Sequence, residues 1–354
     1  MRSRRELVLL LAACLLLLAC AAQAESIYAF GAKCDGVTDD RPAIQAAINA
    51  GGTVTFGGGA ATCLAKNLMV GSNTTIELGG TTLDMGSLTP PKTWGIETVL
   101  GSANITIRGG VILGHRLLTT GYAIGIRVNG ADNVVIEGTR ILDWPKDGIW
   151  VGGVGGNAVN GRSTHVRISA VEIGNCGRNG ISASNADGVR IERSHIHDIH
   201  GDPGAAINGE PNPGDRLTGL VISDCVLARC DVGAYLQIGG GFPGLDYSVL
   251  NNVFTDNVKF GLVCNGVIGL RVFNNVIKGG ATGMSIGAPS ADRLSTDVTV
   301  ENNVIGGIRG LIVAGAKNVR VMGNTMAGGR PETPVLGVSG TVILMGNTEA
   351  VPTP

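Results

Sequence analysis

Residues 247–286 read YSVLNNVFTDNVKFGLVCNGVIGLRVFNNVIKGGATGMSI. Two near-copies of one pattern lie end to end. Each has an alternating run closed by Asn-Asn (YSVLNNVF, then LRVFNNVI), a variable turn, and a Gly-[apolar]-x-[apolar] step (GLVC, then GMSI). Apolar residues fall at every second position and turn residues break up the short runs, which predicts strands rather than helix. The same run recurs upstream as NITIRGGVIL, NVVIEGTRIL, HVRISAVEI, GVRIERSHI and GLVISDCVL, and downstream as VTVENNVI and VRVMGNTM. The second step recurs as GIRV, GIWV, GISA, AING, GAYL and GLIV. Asn252, Asn275, Asn303, Asn324 and Asn347 occupy one point of the repeat, at intervals of 23, 28, 21 and 23 residues. A period of about 20–30 residues with three short strands per repeat predicts a parallel β-helix. Rungs stacked ~4.7–4.9 Å apart bring equivalent side chains together. An interior Asn can then hydrogen-bond its copies above and below, so these Asn residues are read as structural.

Composition agrees. Glycine is abundant, at 57 of 354 residues, and only 16% of residues are charged, which argues against a helical bundle. The hydrophobic fraction of 44% suffices for a core. A net charge of −1 gives no overall attraction to nucleic acid, so none is expected as a partner.

Residues 1–24 read as an export signal: three arginines, an apolar run from Leu7 to about Ala22, and the A-x-A cleavage pattern Ala22-Gln23-Ala24. The expected mature chain begins at Glu25, carries no transmembrane segment, and is periplasmic or secreted. The alternative is a lipoprotein, because Leu17-Leu18-Ala19-Cys20 resembles a lipobox that would leave Cys20 acylated. Outside the signal six cysteines remain, and spacing alone does not pair them.

Residues 25–71 differ from the repeat. Thr38, Asp39 and Asp40 can cap a helix, Pro42 suits its first turn, and Ile44, Ala47 and Ile48 share a face. A helix near 38–49 would cover the open end of a coil running over 72–348, leaving 349–354 as a tail. Cys34 and Cys63 flank this cap and are the preferred disulfide pair.

The segment AFGAKCDGVTDDRPAIQAAINAGGTVTF resembles the opening of the pectate-lyase superfamily of right-handed β-helix proteins, with Cys34 where the pattern has Gly. That superfamily includes polygalacturonases, pectate and alginate lyases, mannuronan C5-epimerases and phage tailspikes. The resemblance implies an all-β right-handed coil whose Gly-Ile-x-Val strand, with the turn before it, lines a polysaccharide groove. It leaves the reaction open.

Parity along that strand points Ile126, Ile149, Ile181, Ile207, Ala234 and Leu262 inward. Arg127, Trp150, Ser182, Asn208, Tyr235 and Val263 then point outward as one stripe, with Glu210 and Gln237 beside it. Lys146, Arg178, Gly204, Asp231 and Lys259 precede the inward positions and would form a basic border suited to an anionic polysaccharide. The stretch SHIHDIHGDPGAAINGEPNPGD, residues 194–215, concentrates histidines and carboxylates beside this stripe. Its AINGEPN resembles a G-I-D-I-E-P-N segment of the superfamily, with Asn208 in place of Asp. The candidate catalytic residues are therefore Glu210, His200, Asp202 and Tyr235. Trp150, Arg178, Asn208, Gln237, Lys146 and Lys259 are the candidate substrate contacts. Asp202 and Glu210 are the ligands if Ca²⁺ is used. The expected function is a polysaccharide lyase or epimerase on a uronate polymer. The alternatives are a polygalacturonase-type glycoside hydrolase, with Glu210 paired to Asp147, Asp202 or Asp231, and a non-catalytic polysaccharide-binding or structural protein.

Overall fold

The computed structural model describes residues 24–86, 92–117, 121–154, 161–238, 244–288, 290, 293–327, 335–336 and 338–349. The expected signal at 1–24 lies almost wholly outside them. The chain winds into a right-handed parallel β-solenoid of about 11 turns with one short α-helix. Each full turn gives one strand to an eleven-stranded parallel sheet and two shorter strands, or one long bent strand, to a second parallel sheet. The eleven strands, from Leu68–Val70 to Val335–Leu336, follow chain order without a crossover, as a coil requires.

The inward ladder Ile126, Ile149, Ile181, Ile207, Ala234, Leu262 is in register from rung to rung and fully buried. On the second sheet Ile107, Ile136, Ile168, Ile191, Ile222, Val249, Val272, Val300 and Val321 form the matching ladder. β-branched residues dominate because their stiff side chains stack well on a pleated surface.

The Asn ladder is built as expected. The backbone N–H and Nδ2 of Asn252 both donate to Asn275 Oδ1, at 2.9 and 3.0 Å. Asn275 does the same to Asn303, Asn303 to Asn324, and Asn324 to Asn347. The first Asn of each Asn-Asn pair has a different task. Asn251, Asn274 and Asn302 turn the corner with φ of 56–57°, a left-handed conformation that Asn tolerates better than most residues. Asn275→Ala is expected to destabilise by ~1–3 kcal/mol, because Asn252 loses its acceptor inside the coil. Urea unfolding at constant m-value would measure the loss, and an unchanged midpoint would refute the ladder's role.

The helix spans Arg41–Ala50 and buries Ile44, Ala47 and Ile48. Its capping differs from expectation. Asp40 occupies the N-cap but makes no side-chain cap bond; its carboxylate accepts the Lys33 and Cys34 N–H groups instead. Asp39 Oδ1 takes the Arg41 N–H, and Asp35 takes Thr38. Gln45 closes the coil's end: its amide donates to Met69 O and accepts from Met69 N, both at 2.9 Å, as a neighbouring strand would. Cys34 and Cys63 form a disulfide, while Cys176, Cys225, Cys230 and Cys264 are buried free thiols.

Candidate functional site

The outward positions of the eleven-stranded sheet stack as parity requires. Glu97, Arg127, Trp150, Ser182, Asn208, Tyr235 and Val263 are register partners on successive rungs. At the N-terminal half of this face lies a cleft of about 570 Å³ lined by Trp94, Tyr122, Arg127, Trp150, Arg178, Glu210 and Asn212.

One wall is aromatic and cationic. The Arg127 guanidinium stands 5.0 Å from the Trp150 ring centroid and 5.4 Å from that of Trp94, and it is ion-paired with Glu97. Asn129 Nδ2 also donates to Glu97. Gly152 lets the Trp150 indole lie flat, since a Cβ there would collide with its six-membered ring.

Another part of the lining is built on one shared guanidinium. Arg178 Nε donates to Asp147 Oδ1 at 2.8 Å, and Nη2 donates to Asp147 Oδ2 at 2.5 Å and to Glu210 Oε1 at 2.8 Å. Asn208 Nδ2 donates to Glu210 Oε2 at 2.8 Å. The Asp147 side chain is wholly buried, whereas about a fifth of Arg178 and of Glu210 stays exposed. Burial raises the Glu210 carboxyl above its ordinary pKa; Arg178 pulls against that rise and Asp147 adds to it. Burial also raises Tyr122, with the charges of Asp147 and Glu210 adding and those of Arg178 and Arg127 opposing. For Arg178 burial works against the charge, but the bonds to Asp147 outweigh it and keep the guanidinium protonated.

Four buried side-chain polar atoms lack a partner among the described residues. Three of them, Trp94 Nε1, Ser184 Oγ and Asn208 Oδ1, belong to the cleft or its immediate support, and the fourth is Tyr247 Oη in the core. Native proteins leave few such groups unpartnered.

Of the sequence-derived candidates, the structure brings together Glu210, Arg178, Asn208 and Trp150. Tyr235 follows Asn208 on the ladder but packs on Ala205, Val232 and Val263 and does not line the cleft. Gln237 stands two residues further along the same strand, in register with Asn265. His200 pairs instead with Asp231, at 2.9 Å, and Asp202 lies exposed in the following turn. His195 and His197 sit on the other sheet, flanking buried Ile196. The turns carrying Lys146, Arg178 and Gly204 do stack, as do those of Asp231 and Lys259. Two of its three cations are nevertheless paired: Arg178 is held by two carboxylates and Lys259 by Asp231.

The donor set does not suit Ca²⁺. Both Glu210 oxygens accept N–H donors, and a guanidinium 2.8 Å away places positive charge where the cation would sit. Among the described residues, the one group of three potential metal ligands is Cys34, Asp40 and Cys63, whose thiols are joined as a disulfide.

Sequence reasoning missed Trp94, Glu97, Tyr122 and Asn212. A signal existed for the first: Trp94 immediately precedes the Gly95-Ile96 step, as Asp147, which anchors Arg178, precedes Gly148-Ile149.

A family model described as the right handed beta helix region matches residues 94–326. The uncharacterized protein YclG of Bacillus subtilis (strain 168) is 34% identical over 123 residues, a match spanning 31% of this chain and 21% of YclG. PfbA, a surface adhesin of Streptococcus pneumoniae, superposes with a TM-score of 0.75 at 18% identity, covering 92% of this chain and 91% of its own. The A-module of the Azotobacter vinelandii mannuronan C-5 epimerase AlgE6 gives 0.70 at 19% identity, covering 93% and 100%. At these identities the likeness is one of fold. No helix among the described residues is long and apolar enough to cross a membrane.

Proposed function

The chain belongs to the right-handed β-helix family, and from that premise we propose that its cleft binds a uronate-containing polysaccharide and abstracts the proton beside a sugar carboxylate, as a lyase or epimerase does. The observation that carries this reading is the Asp147–Arg178–Glu210 bridge, whose Arg178 and Glu210 line one aromatic cleft with Tyr122. Arg178 supplies the positive charge that stabilises the enolate-like carboxylate formed when the proton leaves. Glu210 is the base, since burial brings its pKa toward working pH. Tyr122, kept protonated by burial, is the acid.

In a lyase step the C5 proton passes to Glu210 and its electron pair forms the C4=C5 double bond. The C4–O bond then breaks, and the leaving oxygen takes the Tyr122 proton. In an epimerase step the C4–O bond stays intact and Tyr122 gives its proton to C5 from the opposite face. Trp150 and Trp94 offer apolar faces for sugar rings. The fold shared with a mannuronan C-5 epimerase module is consistent with this chemistry. A two-carboxylate hydrolysis is less well supported, because Asp147 is wholly buried and Glu210 is the one carboxylate lining the cleft among the described residues. Export is supported by the apolar N-terminal segment and by the Cys34–Cys63 disulfide, which suits an oxidising compartment.

The test is incubation with polymers of galacturonate, mannuronate and guluronate. Products absorbing near the ultraviolet edge, or inverted C5 configuration by NMR, are expected. New reducing ends without either would favour hydrolysis, and binding without turnover would favour a purely binding role.

A further inference from the structure

Glu210 does not simply stand beside Arg178; it occupies the side of the guanidinium that Asp147 leaves open to the cleft. Asp147 takes Nε and one Nη2 contact from within the wall, and Glu210 takes Nη2 from the cleft side. A carboxylate entering the cleft therefore meets an Arg178 whose Nε and Nη2 are already taken, and a two-point grip through Nη1 and Nη2 needs the Nη2 contact that Glu210 holds. From this geometry we infer that Glu210 is an internal stand-in for the ligand's carboxylate: binding exchanges the Glu210–Arg178 bond for a ligand–Arg178 bond and frees Glu210 as it does so. This rests on reading the cleft as a uronate site.

The two carboxylates on Arg178 are unequal in the way an exchange needs. Asp147 is buried and held at two points, so it stays as the permanent counter-charge. Glu210 is partly exposed and held by Arg178 at one oxygen. Its other oxygen accepts from Asn208, whose buried Oδ1 has no partner, so Asn208 can follow Glu210 without breaking a further bond of its own oxygen. The charged and titratable groups around Glu210 are Arg178, Asp147, Tyr122 and, also lining the cleft, Arg127.

The exchange has a proton signature with a definite sign. Free Glu210 is held down by Arg178 against the upward push of burial. Losing that guanidinium to a ligand, and gaining a neighbouring anion, raises its pKa further. A group whose pKa rises on binding takes up protons, so affinity strengthens as pH falls and weakens as pH rises past Glu210's titration. The same shift makes Glu210 a stronger base once substrate is seated. The acidic limb of kcat then lies at higher pH than that of kcat/KM.

The experiment is titration calorimetry with the methyl glycosides of galacturonate and mannuronate, which contain no bond between sugars to cleave, in buffers of different ionisation heat. Wild type is expected to take up protons on binding. Glu210→Gln is expected to bind about 10-fold more tightly, the scale of one partly screened charge contact, and to take up none. Glu97→Gln, which removes the buried carboxylate paired with Arg127 behind the cleft lining, should show no such gain; an equal gain there would mean general repulsion and overturn the exchange. If Glu210→Gln fails to fold, Glu210→Ala serves in its place. Unchanged or weaker binding by the variant, proton uptake that survives in it, or no binding by any form would each overturn the inference. Tighter binding by Glu210→Gln without turnover of any polyuronate by wild type would instead refute the enzymatic reading and leave the exchange standing.

Discussion

Glu210→Gln is expected to lower turnover of a polyuronate by ~10²-fold or more, the range for a lost acid–base group. The melting temperature should barely move. Gln matches Glu in shape, can still accept from Asn208 or Arg178, and leaves Asp147 as the guanidinium's counter-charge. Removing a partly buried carboxylate also removes a desolvation cost, which favours the folded variant. Steady-state kinetics with a thermal melt on the same preparation separates the outcomes. Turnover per folded molecule equal to wild type would show that Glu210 only braces the turn around Pro211 and Pro213. The tighter ligand binding expected of the same variant makes the split sharper: affinity rises while kcat collapses, a pattern that damage to the fold does not produce.

Arg178→Met should have the largest effect on stability. It leaves Asp147 fully buried with no counter-charge, and breaking a buried pair from one side costs ~3–5 kcal/mol. Part of Arg178 is exposed, so water can reach the vacated position and the lower end of that range is the better expectation. Asp147→Asn alone should cost less, because Arg178 keeps Glu210. Asp147→Asn combined with Arg178→Met should recover most of the loss, because no unpaired charge then stays fully buried. Denaturant unfolding of the four proteins forms the cycle. If the single Arg178→Met variant were as stable as wild type, the bridge would not be the structural anchor of this wall. Turnover should be lost in both variants lacking Arg178, whatever their stability, since the charge facing the substrate carboxylate is gone.

The coil, its inward ladder, the Asn stack, the buried helix face and the Cys34–Cys63 pair were all legible in the sequence. Each follows from a rule that acts within a rung or repeats between rungs, or from residues flanking one short element. Period-2 parity put Ile149 and Trp150 on opposite faces, and recurrence at one point of the repeat marked Asn275 and Asn303 as ladder members. The helix caps were less legible. Asp39 and Asp40 are both capping types, but which carboxylate serves the helix and which serves the loop at Lys33 and Cys34 depends on the path of the chain before them.

The site was half legible. Parity named Trp150, Asn208 and Glu210 as neighbours on the outer face, and it could not say which groups meet there. Trp94 and Tyr122 belong to earlier rungs, far away in sequence from Glu210, and only the stacking of rungs brings them to one cleft. The histidines of residues 194–215 lie close to Glu210 in sequence, yet a corner of the coil turns His195 and His197 onto the other sheet, and His200 pairs with Asp231. The turns of the expected basic border stack, but their charge pattern was not legible, because a side chain's ion partners sit across rungs and depend on rotamers. By itself the sequence determined the fold and which face each strand residue takes, since both are properties of a local period. Only the tertiary structure decided that Arg178 is shared between Asp147 and Glu210, because that contact joins residues 31 and 32 positions apart through the lateral spacing of the coil.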